Sequence, residues 1–326
     1  MTILVTGAAG FIGYHVSEAL IARGEAVIGV DNMNDYYDAA LKEARLARLE
    51  THSGFVFERA DISDEGAMVM LARRTGDVTG VVHLAAQAGV RYSLLNPHAY
   101  VRDNIVGHLN ILEMCRGLKG LKHLVYASSS SVYGGNEKLP YAESDPVDRP
   151  VSLYAASKKS DELISHTYSH LHGIPATGLR FFTVYGPWGR PDMAYYLFTE
   201  SIFRGETIHV FNHGDMRRDF TYIDDVVAGV LAALDRPPRA RDGAPPHRIY
   251  NIGNHRAEEL LHFIGVIEEA VGRKAELKMA PMQPGDVKET YADIELARRD
   301  LGFDPVTQLD VGIPLFVQWY RDYHGH

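Results

Sequence analysis

Short apolar runs rich in β-branched residues alternate with longer segments of helical periodicity through the first half of the chain. The apolar runs cover residues 3–5, 26–30, 55–57, 81–84, 124–127 and 176–182. Such alternation indicates repeated strand–helix–strand units, in which helices cover both faces of a parallel sheet. We therefore predict a doubly wound α/β fold whose parallel sheet is at least six strands wide.

The pattern changes after residue 182. Proline and tryptophan crowd residues 187–191, and two Pro-Pro pairs bracket a predicted surface loop between residues 237 and 246. Residues 223–234 have helical periodicity, and residues 248–252 resemble a strand that could return to the first sheet. The resulting domain prediction is a larger domain over 1–182, with parts of 222–252 returning to it, and a smaller domain over 183–326.

The overall composition excludes several classes of protein. The 326 residues carry a net charge of -9 without an acidic or basic block, which argues against nucleic acid or an anionic membrane as a partner. The single cysteine, Cys115, lies in an apolar helical stretch and is expected to be a small buried residue. One cysteine cannot form an intramolecular disulfide, which favours a protein of the reducing cytoplasm. The first predicted strand begins at the third residue and leads straight into a glycine motif, which leaves no room for a signal peptide, so we expect none.

The segment TGAAGFIG, residues 6–13, follows the first predicted strand and opens a helix. Glycines at Gly7, Gly10 and Gly13 permit a tight turn and let the backbone approach a pyrophosphate at the helix N-terminus. The spacing differs from the commonest dinucleotide fingerprint, so on its own the motif could be an ordinary strand-to-helix connection.

A carboxylate at the end of the second strand favours the dinucleotide interpretation. Asp31 lies where a ribose-binding carboxylate belongs in a Rossmann-type α/β fold, and it would repel a 2′-phosphate, so NAD is favoured over NADP. Asn32 follows it without an adjacent arginine. Asp61 and Ile62, beyond the third strand, are placed to meet the adenine, although Asp61 could equally cap a helix.

Tyr154 and Lys158 stand at positions i and i+4 of a predicted helix, so their side chains share one face. A free phenol titrates near pH ~10 and is a poor base at neutrality. A neighbouring ammonium, aided by a positively charged nicotinamide ring, stabilises a phenolate. Alone, the pair could be an ordinary exposed helix pair, but the glycine turn and Asp31 favour a catalytic role.

Taken together, these motifs resemble those of the extended short-chain dehydrogenase/reductase family, and the resemblance covers nearly the whole chain. The matching segments are 6–13, 31, 61–62, 84–86, 128–134, 154–158, 183–190, 218–220 and 285–286. The resemblance implies that Tyr154 is the base, that Lys158 also holds the nicotinamide ribose, and that Ser129 shares the reacting oxygen. The expected cofactor-binding set is Gly7, Gly10, Phe11, Ile12, Gly13, Asp31, Asn32, Asp61, Ile62, Leu84, Ala85, Ala86, Tyr154 and Lys158.

The resemblance also implies a UDP-sugar substrate. Arg218 matches the family's pyrophosphate-binding arginine, and Asp286 matches a carboxylate for the nucleotide ribose, although residues 217–218 alone could be a solvated basic turn. Acids that relatives use for elimination or decarboxylation are replaced by Ser130 and Ser131. The expected substrate-binding set is Arg91, Ser128, Ser129, Ser130, Thr183, Arg190, Arg218 and Asp286.

Residues 88–93 and 185–190 are most similar to the UDP-glucuronate 4-epimerase subgroup. This likeness implies NAD-dependent epimerisation at C4 through a 4-keto sugar, with the cofactor retained, and a homodimer at the level of the family. Three other hypotheses stay open: epimerisation of a neutral UDP-hexose, decarboxylation of UDP-glucuronate, and a non-catalytic sensor of NAD or a nucleotide sugar. The 16 histidines form no ligand-like cluster, so no metal is expected.

Overall fold

The computed structural model of the chain describes residues 1–282 and 287–326. The strands, numbered in chain order, are β1 (Thr2–Thr6), β2 (Ala26–Asp31), β3 (Phe55–Arg59), β4 (Gly80–His83), β5 (His123–Ser129), β6 (Ala176–Phe181), β7 (Thr183–Tyr185), β8 (Thr207–Val210), β9 (Arg217–Arg218), β10 (Phe220–Tyr222), β11 (His247–Ile252), β12 (Glu258–Glu259), β13 (Glu276–Met279) and β14 (Glu289–Thr290).

Twelve α-helices, also numbered in chain order, are present in the described residues. They are α1 (Phe11–Ala22), α2 (Ala39–Leu49), α3 (Glu65–Arg74), α4 (Tyr92–Leu95), α5 (Pro97–Ala99), α6 (Gly107–Gly117), α7 (Leu153–His172), α8 (Ala194–Arg204), α9 (Ile223–Leu234), α10 (Leu260–Val271), α11 (Glu295–Leu301) and α12 (Leu309–His324). A π-helical turn spans Tyr100–Val106, and 3-10 turns span Ser130–Tyr133 and Phe211–Gly214.

A parallel sheet of seven strands forms the centre of the fold, in the order β11-β6-β5-β4-β1-β2-β3. The predicted doubly wound parallel sheet is therefore confirmed. The seventh strand, β11, contains residues 248–252 and pairs in parallel with β6. Strand order reverses between β1 and β4, and in open α/β sheets this reversal opens a crevice for ligands at the carboxyl ends of the strands.

Both faces of the sheet are covered. Ile3 and Val5 of β1 pack into one hydrophobic cluster with residues of α1 and α9, whereas Leu4 packs into a second cluster with residues of α3 and α6. Successive side chains of a strand point to opposite faces, so a strand buried on both faces must be apolar throughout. This requirement explains why the strands are continuous apolar runs in the sequence.

Local signals set the bounds of the helix that carries the Tyr-Lys pair. The Ser152 hydroxyl accepts the N–H of Ala155 at 3.1 Å and caps the start of α7. Gly173, with φ of 67°, ends it in the left-handed region. Helix α9 covers the segment predicted to be helical.

The C-terminal part adds small sheets and helices beside the carboxyl edge of the main sheet. β7 pairs with β10, β8 pairs with β13, and β9 lies between β12 and β14. Residues 239–244, in the predicted surface loop, are all exposed. Within the described ranges, no helix is long and apolar enough to cross a membrane.

Candidate active site

A cavity of about 1030 Å³ opens at the carboxyl ends of the central strands. Its walls come from the loops after β1, β2, β4 and β5, from α7, and from β7, α8 and β9 of the C-terminal part. The cavity is at the upper end of the size range of small-molecule sites, so it can take a large ligand. All predicted site residues in the described ranges line it.

The glycine turn brings backbone close to backbone at the start of α1. A Cβ on Gly13 would lie 2.0 Å from the Gly7 carbonyl oxygen, so only glycine fits there. Gly7 has a φ of +71°, and a Cβ on it would lie 2.8 Å from the Ala85 nitrogen. Helix α1 begins at Phe11, directly after this turn. The amide-rich end of the helix therefore faces the cavity without an intervening side chain, as pyrophosphate binding requires.

Asp31, at the end of β2, is 8% exposed and lines the cavity. Its carboxylate accepts the N–H of Ala9 at 3.2 Å and the N–H of Met33 at 2.9 Å. These two bonds fix the carboxylate against the glycine turn. The position suits an acceptor for ribose hydroxyls.

Asp61 and Asn32 meet across the neighbouring strand ends. The Asn32 Nδ2 donates to the Asp61 Oδ2 at 3.1 Å, and Ser63 donates to the other oxygen from both its N–H and its hydroxyl. Burial opposes ionisation, but these bonds outweigh it and lower the pKa of Asp61. The alternative that Asp61 caps α3 is wrong, because the Asp64 side chain is the cap and accepts the N–H of Ala67.

Tyr154 and Lys158 lie one turn apart on α7 and both line the cavity. The Tyr154 ring packs edge-on against Tyr100, with ring centroids 6.0 Å apart. Lys158 is 3% exposed, and its Nζ donates to the Ala127 carbonyl oxygen at 3.0 Å and to the Asp161 carboxylate at 3.1 Å. The ammonium is thus anchored between β5 and α7 with one side toward the cavity.

The serine run turns the chain after β5. The Ser129 hydroxyl accepts the N–H of Ser131 at 3.1 Å and caps the 3-10 turn. The Ser128 hydroxyl instead donates to Glu162 at 2.7 Å, and Glu162 forms a buried ion pair with Arg180. Ser129 and Ser130 line the cavity, as does Ser128, but the Ser128 hydroxyl is already engaged in the protein interior.

An arginine–carboxylate pair lies on the C-terminal side of the cavity. Two guanidinium nitrogens of Arg190 contact Asp192, at 3.0 and 2.5 Å, and the Tyr36 hydroxyl donates to Asp192 at 3.1 Å. Burial disfavours the Arg190 cation, but Asp192 outweighs that cost and raises the pKa of Arg190. Thr183, the first residue of β7, lines the same cavity.

Two further arginines line the cavity. The Arg91 guanidinium lies 5.6 Å from the centre of the Phe211 ring, which joins the loop after β4 to the C-terminal part. Arg218 donates from Nη1 to the carbonyl oxygens of Arg217 and Lys288, at 2.8 and 3.0 Å. Asp286, the predicted ribose carboxylate, lies outside the described residues.

Several residues at the site were not predicted from the sequence. Asn104 holds both main-chain groups of Gln87 and donates to the Ser157 hydroxyl at 2.9 Å, which connects the loop after β4 to α7. Asp219 is fully buried and accepts the N–H groups of Asn254 and Ala292. Of the residues that the sequence did not predict, only Asp161 has a local sequence signal, because its spacing places it on the same helix face as Tyr154 and Lys158.

No group of three or more His, Cys, Asp or Glu side chains that could hold a metal is present within 1–282 and 287–326. The polar groups of the cavity are hydroxyls, amides, three arginines, two lysines and one histidine beside five carboxylates. This set suits proton transfer at a phenol and binding of phosphate or carboxylate groups.

Comparison with known proteins places these features in context. The sequence matches the NAD dependent epimerase/dehydratase family over residues 3–253. It is 50% identical over 338 residues to UDP-glucuronate 4-epimerase 4 of Arabidopsis thaliana, and the match covers 100% of this chain and 76% of that protein.

Two solved structures have the same fold along nearly the whole chain. The UDP-glucuronic acid 4-epimerase of Bacillus cereus, in complex with UDP-glucuronic acid and NAD, has a TM-score of 0.90 at 35% identity, over 99% of this chain and 100% of that one. The UDP-glucose 4-epimerase of Thermotoga maritima, with UDP-glucose, has a TM-score of 0.88 at 32% identity, over 99% and 100% of the two chains.

Proposed function

Since the chain belongs to the NAD-dependent epimerase/dehydratase family, we propose that it interconverts UDP-glucuronate and UDP-galacturonate by NAD-dependent epimerisation at C4. One observation carries the proposal: a single cavity is lined by Asp31, by Tyr154 with Lys158, and by Arg218. A dinucleotide and a nucleotide sugar can therefore meet at one phenol. The whole-chain similarity to UDP-glucuronate 4-epimerases supports the choice of sugar.

The residues of the glycine turn fit NAD. Gly13 and Gly7 leave no space for side chains, so a pyrophosphate can contact the start of α1. Asp31 would accept the adenosine ribose hydroxyls, and Lys158 would donate to the nicotinamide ribose. When bound there, NAD would supply reversible hydride transfer at C4 of the sugar, with no net oxidation over the cycle.

Tyr154 carries the proton in this reaction. Its phenolate oxygen takes the proton of the C4 hydroxyl as C4 becomes a ketone, and Ser129 donates a hydrogen bond to the same oxygen. The Lys158 ammonium stabilises the phenolate by its charge. After the 4-keto sugar turns about its pyrophosphate link, Tyr154 returns the proton to the oxygen at C4.

An enzyme that oxidises a uronate at C4 must also prevent loss of the sugar's carboxylate as carbon dioxide. Oxidation at C4 makes a β-keto acid, which loses carbon dioxide fastest when the bond to the carboxylate stands perpendicular to the ketone plane. Thr183, Ser129, Ser130 and Arg190 line the cavity and could hold the carboxylate nearer that plane. Charge-assisted bonds of about 1.5–3 kcal/mol each are sufficient to bias the pose.

Arg218 and Asp286 are proposed to bind the UDP part, through its pyrophosphate and its ribose. Arg218 lies on β9, and the next residue, Asp219, is buried and accepts the backbone N–H of Asn254. This bond helps to fix the backbone beside Arg218. Removing the Arg218 charge should weaken binding of UDP itself as much as that of UDP-sugars. The C4 chemistry of bound sugar should be little affected.

The proposed function is tested by incubating the protein with UDP-glucuronate or UDP-glucose and resolving the products. We expect UDP-glucuronate to be strongly preferred, with UDP-galacturonate formed in many turnovers per bound NAD and with little carbon dioxide. Equal kcat/KM for the two sugars would favour the neutral-hexose epimerase suggested by the Thermotoga maritima structure. Product that stops at one equivalent of cofactor, with reduced cofactor accumulating, would indicate a net oxidoreductase.

We further propose that the protein is a homodimer. Exposed apolar side chains lie on the π turn, α6 and α7, which pack side by side. They are Val101 (43% exposed), Val106 (40%), Leu109 (38%), Leu163 (57%) and Leu171 (65%). Leu163→Glu should yield monomers in light scattering, whereas Leu315→Glu, on the separate helix α12, should not.

The location we propose is the cytoplasm. Cys115 is 2% exposed, and burial raises the pKa of its thiol to about 12, so the thiol is unreactive and unpaired. A chain without a disulfide folds in a reducing compartment without penalty. Fractionation of cells that express the tagged protein would test this location.

A further inference from the structure

Behind the Tyr-Lys pair lies a carboxylate that the reaction described above does not use. The Asp161 Oδ2 is 3.1 Å from the Lys158 Nζ, and the two side chains are 1% and 4% exposed. The second oxygen, Oδ1, has no hydrogen-bond partner. Burying an ion pair and leaving a carboxylate oxygen unsatisfied both cost free energy. Stability alone does not account for this arrangement.

The position of Asp161 couples it to the catalytic pair. Tyr154, Lys158 and Asp161 stand at i, i+4 and i+7, so all three lie on one face of α7. An ammonium has three N–H donors. Two of those on Lys158 are used by Ala127 and Asp161, which leaves one directed toward the cavity. Asp161 therefore orients the ammonium as well as compensating its charge.

Neighbouring elements contribute few other charges near neutral pH. On α6 and β4, burial lowers the pKa of His108 and lowers that of His83 to about 3, so both rings are uncharged. On β5, burial raises the pKa of Tyr126 well above its ordinary value, so this phenol stays neutral. On β11, burial lowers the pKa of His247 to about 4.

The remaining charges are paired among themselves. Glu162, next along α7, is compensated by Arg180 at 2.8 Å and by Lys159 at 3.4 Å. On the π turn, Asp103 is compensated by Arg102 at 2.6 Å. Across the cavity, Arg190 also acts electrostatically on Tyr154, but Asp192 compensates it at 2.5 Å. Within the described residues around Tyr154, the charge whose compensation can change near neutral pH is therefore that of Lys158 beside Asp161.

We propose that Asp161 is a positioning residue which holds the Lys158 ammonium in place and, through its own charge, sets the pH at which Tyr154 acts as a base. The proposal rests on the proposed function. An ionised Asp161 offsets the positive charge of Lys158 and so weakens its stabilisation of the Tyr154 phenolate. A neutral Asp161 leaves that charge fully effective.

Asp161 changes charge near neutral pH. Burial raises the pKa of Asp161 to about 7, although the charge of Lys158 acts in the opposite direction. Seven helical residues separate Asp161 from Tyr154, a rise of roughly 10 Å. One unit charge at that distance, with an effective dielectric constant of about 20, shifts a titration by about one pH unit.

Two variants test the proposal. Asp161→Asn keeps an oxygen acceptor for Lys158 and removes the charge, whereas Asp161→Ala removes both. We expect the acidic limb of the kcat profile to move lower in both variants, by up to about one pH unit, because Lys158 is uncompensated in each. The full shift requires a limb above about pH 7, where wild-type Asp161 is ionised. Asp161→Asn should retain most of the maximal kcat, and Asp161→Ala should lose about tenfold, because its ammonium is no longer oriented. Asp304→Asn is the charge-matched control, because the Asp304 side chain is 63% exposed and is not part of the cavity lining.

A second readout does not depend on turnover. Tyrosinate absorbance is followed in the NAD-loaded protein, and the same titration of a Tyr154→Phe background is subtracted to isolate one phenol. Burial raises the pKa of other cavity tyrosines such as Tyr36 and Tyr100, which keeps them out of the window. The Tyr154 midpoint should move lower in Asp161→Asn by the same amount as the kinetic limb.

The outcomes separate the two proposals. Superimposable profiles and midpoints in wild type and in folded, NAD-loaded Asp161→Asn would overturn the role of Asp161. A wild type without epimerase activity on either UDP-sugar would overturn the proposed function, and the tyrosinate titration would still decide the role of Asp161. A shared pH shift with a larger kcat loss in Asp161→Ala supports both parts of the inference.

Discussion

Arg45 connects the cofactor side of the cavity to the segment that carries Arg190. Its guanidinium is fully buried, and each of its five N–H groups is used. Two bonds go to the Trp188 carbonyl oxygen at 3.1 and 2.6 Å, and one goes to the Gly189 carbonyl oxygen at 3.1 Å. The others reach the Ala9 carbonyl oxygen at 3.0 Å and the Tyr37 hydroxyl at 2.8 Å.

Replacing Arg45 with Met removes these bonds and keeps much of the side-chain volume. Hydrogen bonds from a charged donor contribute about 1.5–3 kcal/mol each, but bonds that share one side chain are not additive. Two buried carbonyls, of Ala9 and Gly189, and the partly buried carbonyl of Trp188 would lose a donor. Trp188, whose φ is +60°, would also lose the bonds that hold its backbone. We expect Arg45→Met to lower the free energy of unfolding by about 3–5 kcal/mol, on the scale of a broken buried polar network.

The assay is denaturant unfolding of the NAD-loaded protein, together with kcat/KM for both UDP-sugars. Arg48→Met, one turn later on α2, is the control because that side chain is 56% exposed, and we expect a loss of less than about 1 kcal/mol. A looser 186–190 segment should reduce kcat/KM for UDP-glucuronate more than for UDP-glucose, since Arg190 is among the residues proposed to hold the carboxylate. Equal stability of the two variants would refute the argument from buried hydrogen bonds.

Four further changes have defined outcomes. Tyr154→Phe should lower kcat by at least about a hundredfold, the scale of a lost general base, while calorimetry finds similar UDP-sugar affinity; near-normal turnover would remove Tyr154 from the mechanism. Thr183→Val should slow glucuronate turnover or increase carbon dioxide release, and Thr183→Ser should restore the wild-type behaviour; an unchanged Val variant contradicts the assigned role. Asp31→Ala should weaken NAD binding about tenfold or more, and unaltered retention of NAD after dialysis would count against that site. Asp161 keeps a proton up to about pH 7 in the folded chain but only up to about pH 4 when unfolded, so its contribution to stability falls as pH rises across that window. Denaturant unfolding at several pH values should therefore give a flatter stability profile for Asp161→Asn over this window. An unchanged slope in the variant would argue against this titration.

Much of the cofactor side could be predicted from short stretches of sequence. Strand runs, the glycine turn and the i, i+4 spacing of Tyr154 and Lys158 are local, because each depends on backbone sterics or on one helical turn. The parallel topology then brings the ends of successive strands to one edge without any further information. For this reason Gly7, Asp31 and Ala85, far apart in the chain, could be assigned to one site in advance, and all three line the cavity.

The C-terminal side was less predictable. Short strands such as β9, β12 and β14 contain two residues each, which is too short for a periodic pattern. Their pairing depends on Asp219, which accepts three backbone N–H groups from two separate segments, at residues 254–255 and 292. A buried aspartate of this kind cannot be distinguished from a surface aspartate without knowing what lies around it.

The sequence by itself determined the fold class, the place of the cofactor turn and the identity of the phenol and ammonium, because these follow from periodicity and spacing. Only the tertiary structure decided which partners surround them. Arg45 reaches carbonyls at 188 and 189, Tyr36 reaches Asp192, and Asp161 is sealed with Lys158 beneath the cavity. Such partners are distant in sequence or indistinguishable from surface residues. Their charge states and energies depend on burial, which exists only once the chain has folded.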